Sequence, residues 1–127
     1  MAKILIVYHS RTGNTEKMAK AVAEGAAGIE HTELIVRKAF DASLEDLLYC
    51  DGIAIGTPEN FGYMSGAMKD FFDRTFYPSQ GKVFKKPYVI FISAGNDGDP
   101  RFRWCKSCSW ARNNRRTLGN CINIRED

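Results

Sequence analysis

Apolar and polar residues along this chain fall into two alternating periods. Four short, nearly uninterrupted apolar runs, Ile4-Leu5-Ile6-Val7-Tyr8, Leu34-Ile35-Val36, Gly52-Ile53-Ala54-Ile55-Gly56 and Tyr88-Val89-Ile90-Phe91-Ile92, read as strands covered on both faces, as in a parallel sheet. The first strand spans residues 3–8 and the second His31 to Arg37. Between the runs the spacing lengthens to the helical one. Met18, Val22 and Ala26, with Ala19 and Ala23 beside them, predict a helix from about Thr15 to Ala27 with a narrow face that can sit close on a sheet, ended by Gly28. Ser43 and Asp46 match a capping box and open a short helix through Leu44, Leu47 and Leu48. Ser65 caps a third helix, whose Met64, Met68, Phe71 or Phe72, and Thr75 share a face that packs in the core, while Asp70 and Arg74 pair on its surface. Tyr77 to Lys86, with Pro78 and Gly81, reads as a connection. Strand and helix thus alternate three times, the signature of a doubly wound α/β sheet whose ligands bind beyond the carboxyl ends of the strands.

Three polar loops lie at those ends. His9-Ser10-Arg11-Thr12-Gly13-Asn14-Thr15 joins the first strand to the first helix. Its hydroxyls, the Asn14 amide and the first helical N–H groups make an anion site suited to a phosphate. Gly13 allows close backbone approach, and no Glu or Gln stands at the capping-box spacing from Thr12. Glu16 cuts against this, since in the first turn it repels phosphate unless it points away. Thr57-Pro58-Glu59-Asn60-Phe61-Gly62-Tyr63 follows the third strand, and Ser93-Ala94-Gly95-Asn96-Asp97-Gly98 follows the fourth. One such loop is commonly plain connection; three on one edge are a site.

Composition narrows the class. A chain of 127 residues suits one domain with a core that needs no disulfides. It carries neither a transmembrane run nor a signal-peptide pattern, which leads to the expectation of a cytoplasmic protein with no membrane insertion. The four cysteines, Cys50, Cys105, Cys108 and Cys121, are then expected as reduced thiols. The net charge of +3 is uneven: residues 1–100 hold 11 Lys/Arg against 13 Asp/Glu, and residues 101–127 hold 7 against 2. A short basic end of this kind is usually a solvated tail, and no nucleic-acid partner is expected.

The three loops together resemble those of the flavodoxin family. Ser10-Arg11-Thr12-Gly13-Asn14-Thr15 is similar to the family's phosphate loop for flavin mononucleotide, FMN. Gly56-Thr57-Pro58 through Phe61-Gly62-Tyr63-Met64-Ser65-Gly66 resembles its second flavin loop, as found in the NAD(P)H:quinone oxidoreductase branch, and Ala94-Gly95-Asn96-Asp97-Gly98 resembles its third. The resemblance implies FMN as cofactor, with Ser10, Arg11, Thr12, Gly13, Asn14 and Thr15 at its phosphate and Pro58, Glu59, Asn60, Phe61, Gly62, Ala94, Gly95, Asn96 and Asp97 bracketing its ring. Glu59 and Asp97 would then disfavour an anionic reduced flavin, and Phe61, Tyr63 and Trp104 are stacking platforms or plain core. His9 is given no catalytic role, and no catalytic residue is assigned.

The likeness covers residues 1–100, the expected FMN-binding core. Residues 101–127 form an atypical basic tail with an edge strand near 121–124, so the fold expected is flavodoxin-like with a shortened or atypical C-terminal end. The last helix of that arrangement covers the same sheet face as the first, and dimerisation is one remedy for its loss. Cys105 and Cys108 lack the second pair a zinc site needs, so no metal is expected. A truncated or frame-altered end of an ordinary family member is one origin for such a tail. The function implied is electron transfer through bound FMN with a redox partner protein. The alternatives are an FMN-dependent NAD(P)H:quinone oxidoreductase and a non-redox module that binds another phosphate ligand.

Overall fold

The computed structural model describes residues 1–58, 63–83, 86–94 and 119–125. In chain order they form β1 (Ala2–Tyr8), α1 (Asn14–Ala27), β2 (Thr32–Lys38), α2 (Leu44–Tyr49), β3 (Gly52–Pro58), α3 (Gly66–Ser79), β4 (Tyr88–Ala94) and β5 (Gly119–Arg125). The strands make one sheet in the order β2-β1-β3-β4-β5, parallel at every pairing. From β1 the chain first steps one way to β2, then back past β1 to β3 and outward. With right-handed crossovers this reversal puts α1 on one face and α2 and α3 on the other.

Each face is built by the alternation of strand side chains. Leu5, Val7, Ile53, Ile55, Ile90 and Ile92 point to the α2/α3 face and meet Leu47, Met68, Phe71 and Phe72 in the larger core cluster. Ile6, Tyr8, Ala54 and Phe91 point the other way and meet Ala19 of α1. Gly56 is required there by close packing: a Cβ on it would lie 2.2 Å from the Phe91 ring.

Local signals account for most boundaries. The Ser43 hydroxyl accepts from Asp46 N, and the Asp46 carboxylate accepts from Ser43 N, a complete capping box. Ser65 caps α3 by accepting from Met68 N. Three departures from the sequence reading have clear causes. β3 and β4 each extend two residues further because Thr57 and Pro58 stay in register with Ile92 and Ser93. α3 runs to Ser79 with Pro78 inside its last turn, where the buried Thr75 and Ser79 continue the core-facing stripe that a proline break would end. The terminal strand is seven residues long, Gly119 pairing with Tyr88 and Arg125 with Ala94, because β4 offers a complete edge. Arg74 does more than pair with Asp70 at 2.8 Å: it also donates to the carbonyls of Ala42 and Ala39 at 2.7 and 2.8 Å, fastening α3 to the turn after β2.

Candidate functional site

The register fixes where the loops can go. Tyr8 pairs with Gly56 and Pro58 with Ser93, so β1, β3 and β4, adjacent and parallel, end along one edge. The loops after β1, β3 and β4 therefore leave the sheet side by side.

The first loop turns on Gly13, the N-cap of α1, at φ 100°. Nothing lies within 4 Å of a Cβ placed there, so the glycine answers to its left-handed backbone rather than to crowding. Gly13 N donates to Ser10 Oγ at 3.0 Å, which closes the loop on itself. No side chain caps α1, and the positive end of the helix faces the loop. Ser10 is half-buried, whereas Arg11 and Thr12 are exposed. Asn14 Nδ2 makes a long 3.5 Å contact with Thr12 Oγ1. The Thr15 hydroxyl is buried and hydrogen-bonds that of Ser93 at 3.0 Å. It joins the first turn of α1 to the end of β4, so the first and third loops share a root. A hydroxyl has one donor and two acceptor positions, and this bond uses only part of that capacity. Glu16, the residue that argued against an anion here, lies 3.9 Å from Lys20 one turn along α1 and lines the cavity beside Ser10.

The second loop is held at its base. Ser65 N donates to Thr57 Oγ1 at 3.0 Å, and Thr57 Oγ1 donates to the Pro58 carbonyl at 2.9 Å. Both Thr57 and Ser65 are buried, so the segment between them springs from a rigid closure. Pro58 ends β3, Tyr63 is 37% exposed and Ala94 ends β4. Glu59, Asn60, Phe61, Gly62, Gly95, Asn96, Asp97, Trp104, Cys105 and Cys108 lie outside the described residues. Among the residues described, no cluster of His, Cys, Asp and Glu could hold a metal.

Sequence reasoning missed the part played by Thr57 and Ser93. Each is a hydroxyl residue closing an apolar strand, a signal that could have marked it as a loop anchor. It also passed over the turn after β2, which reaches the same edge. There Tyr8, His9, Ser10, Glu16, Lys38, Ala39, Phe40 and Asp41 line a cavity of about 310 Å³.

These residues suit FMN. A left-handed glycine, a helix start with no side-chain cap and the hydroxyls of Ser10 and Thr12 fit its phosphate, and the ends of β3 and β4 lie on the same edge. A parallel sheet of order β2-β1-β3-β4-β5, with that loop where the strand order reverses, defines a flavodoxin-like nucleotide-binding domain.

Comparison with known proteins agrees. The family model described as NADPH-dependent FMN reductase matches residues 2–101. A flavodoxin of Aquifex aeolicus (strain VF5) is 44% identical over 98 residues, which are 77% of this chain and 53% of that protein; the chain thus spans about half the length of that relative. An archaeal flavodoxin structure superposes with a TM-score of 0.74 at 25% identity, over 97% of this chain and 84% of the other. A WrbA-like flavodoxin from Agrobacterium tumefaciens gives 0.73 at 25% identity, over 93% and 76%. The chain belongs to the NADPH-dependent FMN reductase family, a flavodoxin-like family of FMN-binding proteins. The expected fold and family are borne out. Among the described residues no helix is long and apolar enough to cross a membrane.

Proposed function

We propose that the protein is an FMN-binding redox protein of flavodoxin type, working in the cytoplasm and passing electrons to and from a partner protein. Bound FMN supplies reversible one- and two-electron chemistry. The chain's own residues bind and orient it. Ser10, Arg11, Thr12, Gly13 and Asn14 surround the phosphate with hydroxyls, N–H groups and one guanidinium, while Thr15 holds the loop against β4 through Ser93. Pro58, Glu59, Asn60, Phe61 and Gly62 on one side and Ala94, Gly95, Asn96 and Asp97 on the other flank the ring. The observation that carries the reading is the glycine-turned start of α1, with no side-chain cap, beside the ends of β3 and β4 on one sheet edge.

A second reading has its own support. The matching family is described by NADPH-dependent reduction of FMN, so the same site can take hydride from NAD(P)H and pass electrons to a quinone, with a second copy of the chain completing the pocket. One preparation separates the two. A yellow protein bleached by NADPH and recoloured by a quinone is the enzyme. A yellow protein reduced only through a partner reductase is the carrier, and a colourless protein indifferent to added FMN refutes both. Thr12→Glu, which places an anion on an exposed loop position, is expected to weaken FMN binding at least about tenfold with no loss of fold.

A further inference from the structure

The outer edge of the sheet at β2 carries a pattern that the flavin site does not use. Thr32–Lys38 pairs with β1 over its whole length without a bulge, and among the described residues no strand lies beyond it. Successive residues of a strand turn their N–H and C=O groups to opposite sides. The His31 carbonyl accepts from Ala2 N, and Ala39 N donates to the Tyr8 carbonyl, both at 2.8 Å, so the odd-numbered residues bond to β1. The N–H and C=O groups of Leu34 and Val36 therefore point to the open edge, where Arg37 Nη1 reaches the Val36 carbonyl at 3.2 Å.

Edge strands are commonly blunted by a proline, a bulge or charge. β2 has no proline and no bulge, and the charges within it are of opposite sign: Glu33 and Arg37 stand symmetrically about Ile35. We infer that two copies of the chain join through β2, antiparallel about a two-fold axis at Ile35, so that one sheet runs through both. Bonds form only in registers that set outward-pointing residues against each other. The register centred on Ile35 pairs the whole strand. In it Leu34 exchanges N–H···O=C bonds with Val36 of the second copy, and Glu33 lies opposite Arg37 of the second copy, with the same pair repeated by symmetry. These charges fall at non-hydrogen-bonded positions, where opposed side chains come closest. Moving the axis to Leu34 or Val36 sets a charge against Ile35 instead and leaves strand ends unpaired.

Packing favours the same register. Ile35 packs against the α2/α3 cluster, with Glu33 and Arg37 on its side of the strand, while Leu34 and Val36 share the α1 side. Val36 is 42% exposed, and Leu34 of the second copy covers it. Glu33 accepts from the Tyr49 hydroxyl at 3.1 Å, and Arg37 Nε lies 3.5 Å from Asp46 Oδ2, contacts that hold both side chains beside the strand. Because the copies run antiparallel, their loop-bearing edges lie at opposite ends of the joined sheet. The pairing is thus independent of the FMN reading.

Sedimentation equilibrium of the full chain tests this. The chain is expected to pass from single to paired as concentration rises, with modest affinity, because an edge contact is smaller than a standard interface. Glu33→Arg or Arg37→Glu alone opposes like charges at both pairs and should weaken pairing at least about tenfold. The two variants mixed oppose unlike charges again and should form a one-to-one complex. Val36→Pro removes an N–H that faces out of the sheet; it should abolish pairing while the circular dichroism spectrum stays that of the folded chain. A single chain at every concentration up to about 1 mM overturns the inference and leaves the edge to a strand of another protein. A pair that survives Val36→Pro, or charge variants that fold yet do not combine when mixed, also overturns it.

Discussion

Among the described residues, the two faces of the sheet are made from the same strands yet are unequal. The face under α2 and α3 carries sixteen buried residues in one cluster. The face under α1 carries five, Ile6, Tyr8, Ala19, Ala54 and Phe91, with Ile4, Met18, Val22, Ala23, Leu34 and Val89 only partly buried around them. Beside α1 a shallow, almost wholly apolar groove of about 240 Å³ runs past Ile4, Val22, Ala54, Tyr88 and Val89. Large side chains close the first face; alanines and Gly56 let α1 and the Phe91 ring lie close on the second. Among the described residues the larger buried cluster lies on the first face, while α1 on the second carries both the Gly13 turn and the Thr15–Ser93 bond.

Mutations that load the two faces differently would break or sharpen this contrast. The largest effect is expected from Phe71→Ala, which empties a fully buried position and should cost about 3–5 kcal/mol in denaturant unfolding. A loss under about 1 kcal/mol would mean that the larger cluster is not the main source of stability. Next is Gly56→Ala, whose methyl collides with the Phe91 ring. It should cost about 1–3 kcal/mol, and much less in a Phe91→Leu background, because the two sites touch. Equal costs in both backgrounds would show that the ring does not set the limit. Val22→Ala, beside the groove, should cost under about 1 kcal/mol, the mark of the thinner packing.

The smallest effect is one of pH. Burial, the largest cause, pushes the Cys50 thiol above its ordinary value of 9.0, against a lowering influence from Lys86. Above that value the unfolded chain loses the proton first, so unfolding is favoured: the contribution is complete below it and is lost as pH rises through the folded value. Cys50→Ala should therefore flatten the decline of stability above about pH 9, as read from melting temperatures across the alkaline range. An unchanged slope would assign the decline to other groups.

Much of this was legible along the chain. The apolar runs at 4–8, 52–56 and 88–92 and the four-residue spacing through Met18, Val22 and Ala26 correspond to strands and a helix because an unbroken apolar run and a helical spacing are both printed in neighbouring residues. The Ser43 and Ser65 caps read correctly for the same reason, as each partner lies three residues away. The common edge at which the chain leaves the buried strands was legible as well, because a parallel sheet must send its carboxyl ends the same way.

What stayed hidden was long-range. Thr15 and Ser93 stand 78 positions apart, and nothing near either names the other. Arg74 read as half of a surface pair with Asp70, and only folding shows that it also grips a turn more than thirty residues away. Nothing along the chain sets Phe40 apart, and only the β1–β2 pairing brings its ring beside that of His9. The sequence by itself determined the kinds of element, their order and the edge at which the candidate loops begin, because those follow from apolar runs, helical spacing and caps within a few residues. The tertiary structure alone decided which hydroxyl closes which loop, which ring forbids a side chain at Gly56 and how the cavity beside Ser10 is walled. Those contacts join residues that share no local pattern and meet only once the sheet has set its register.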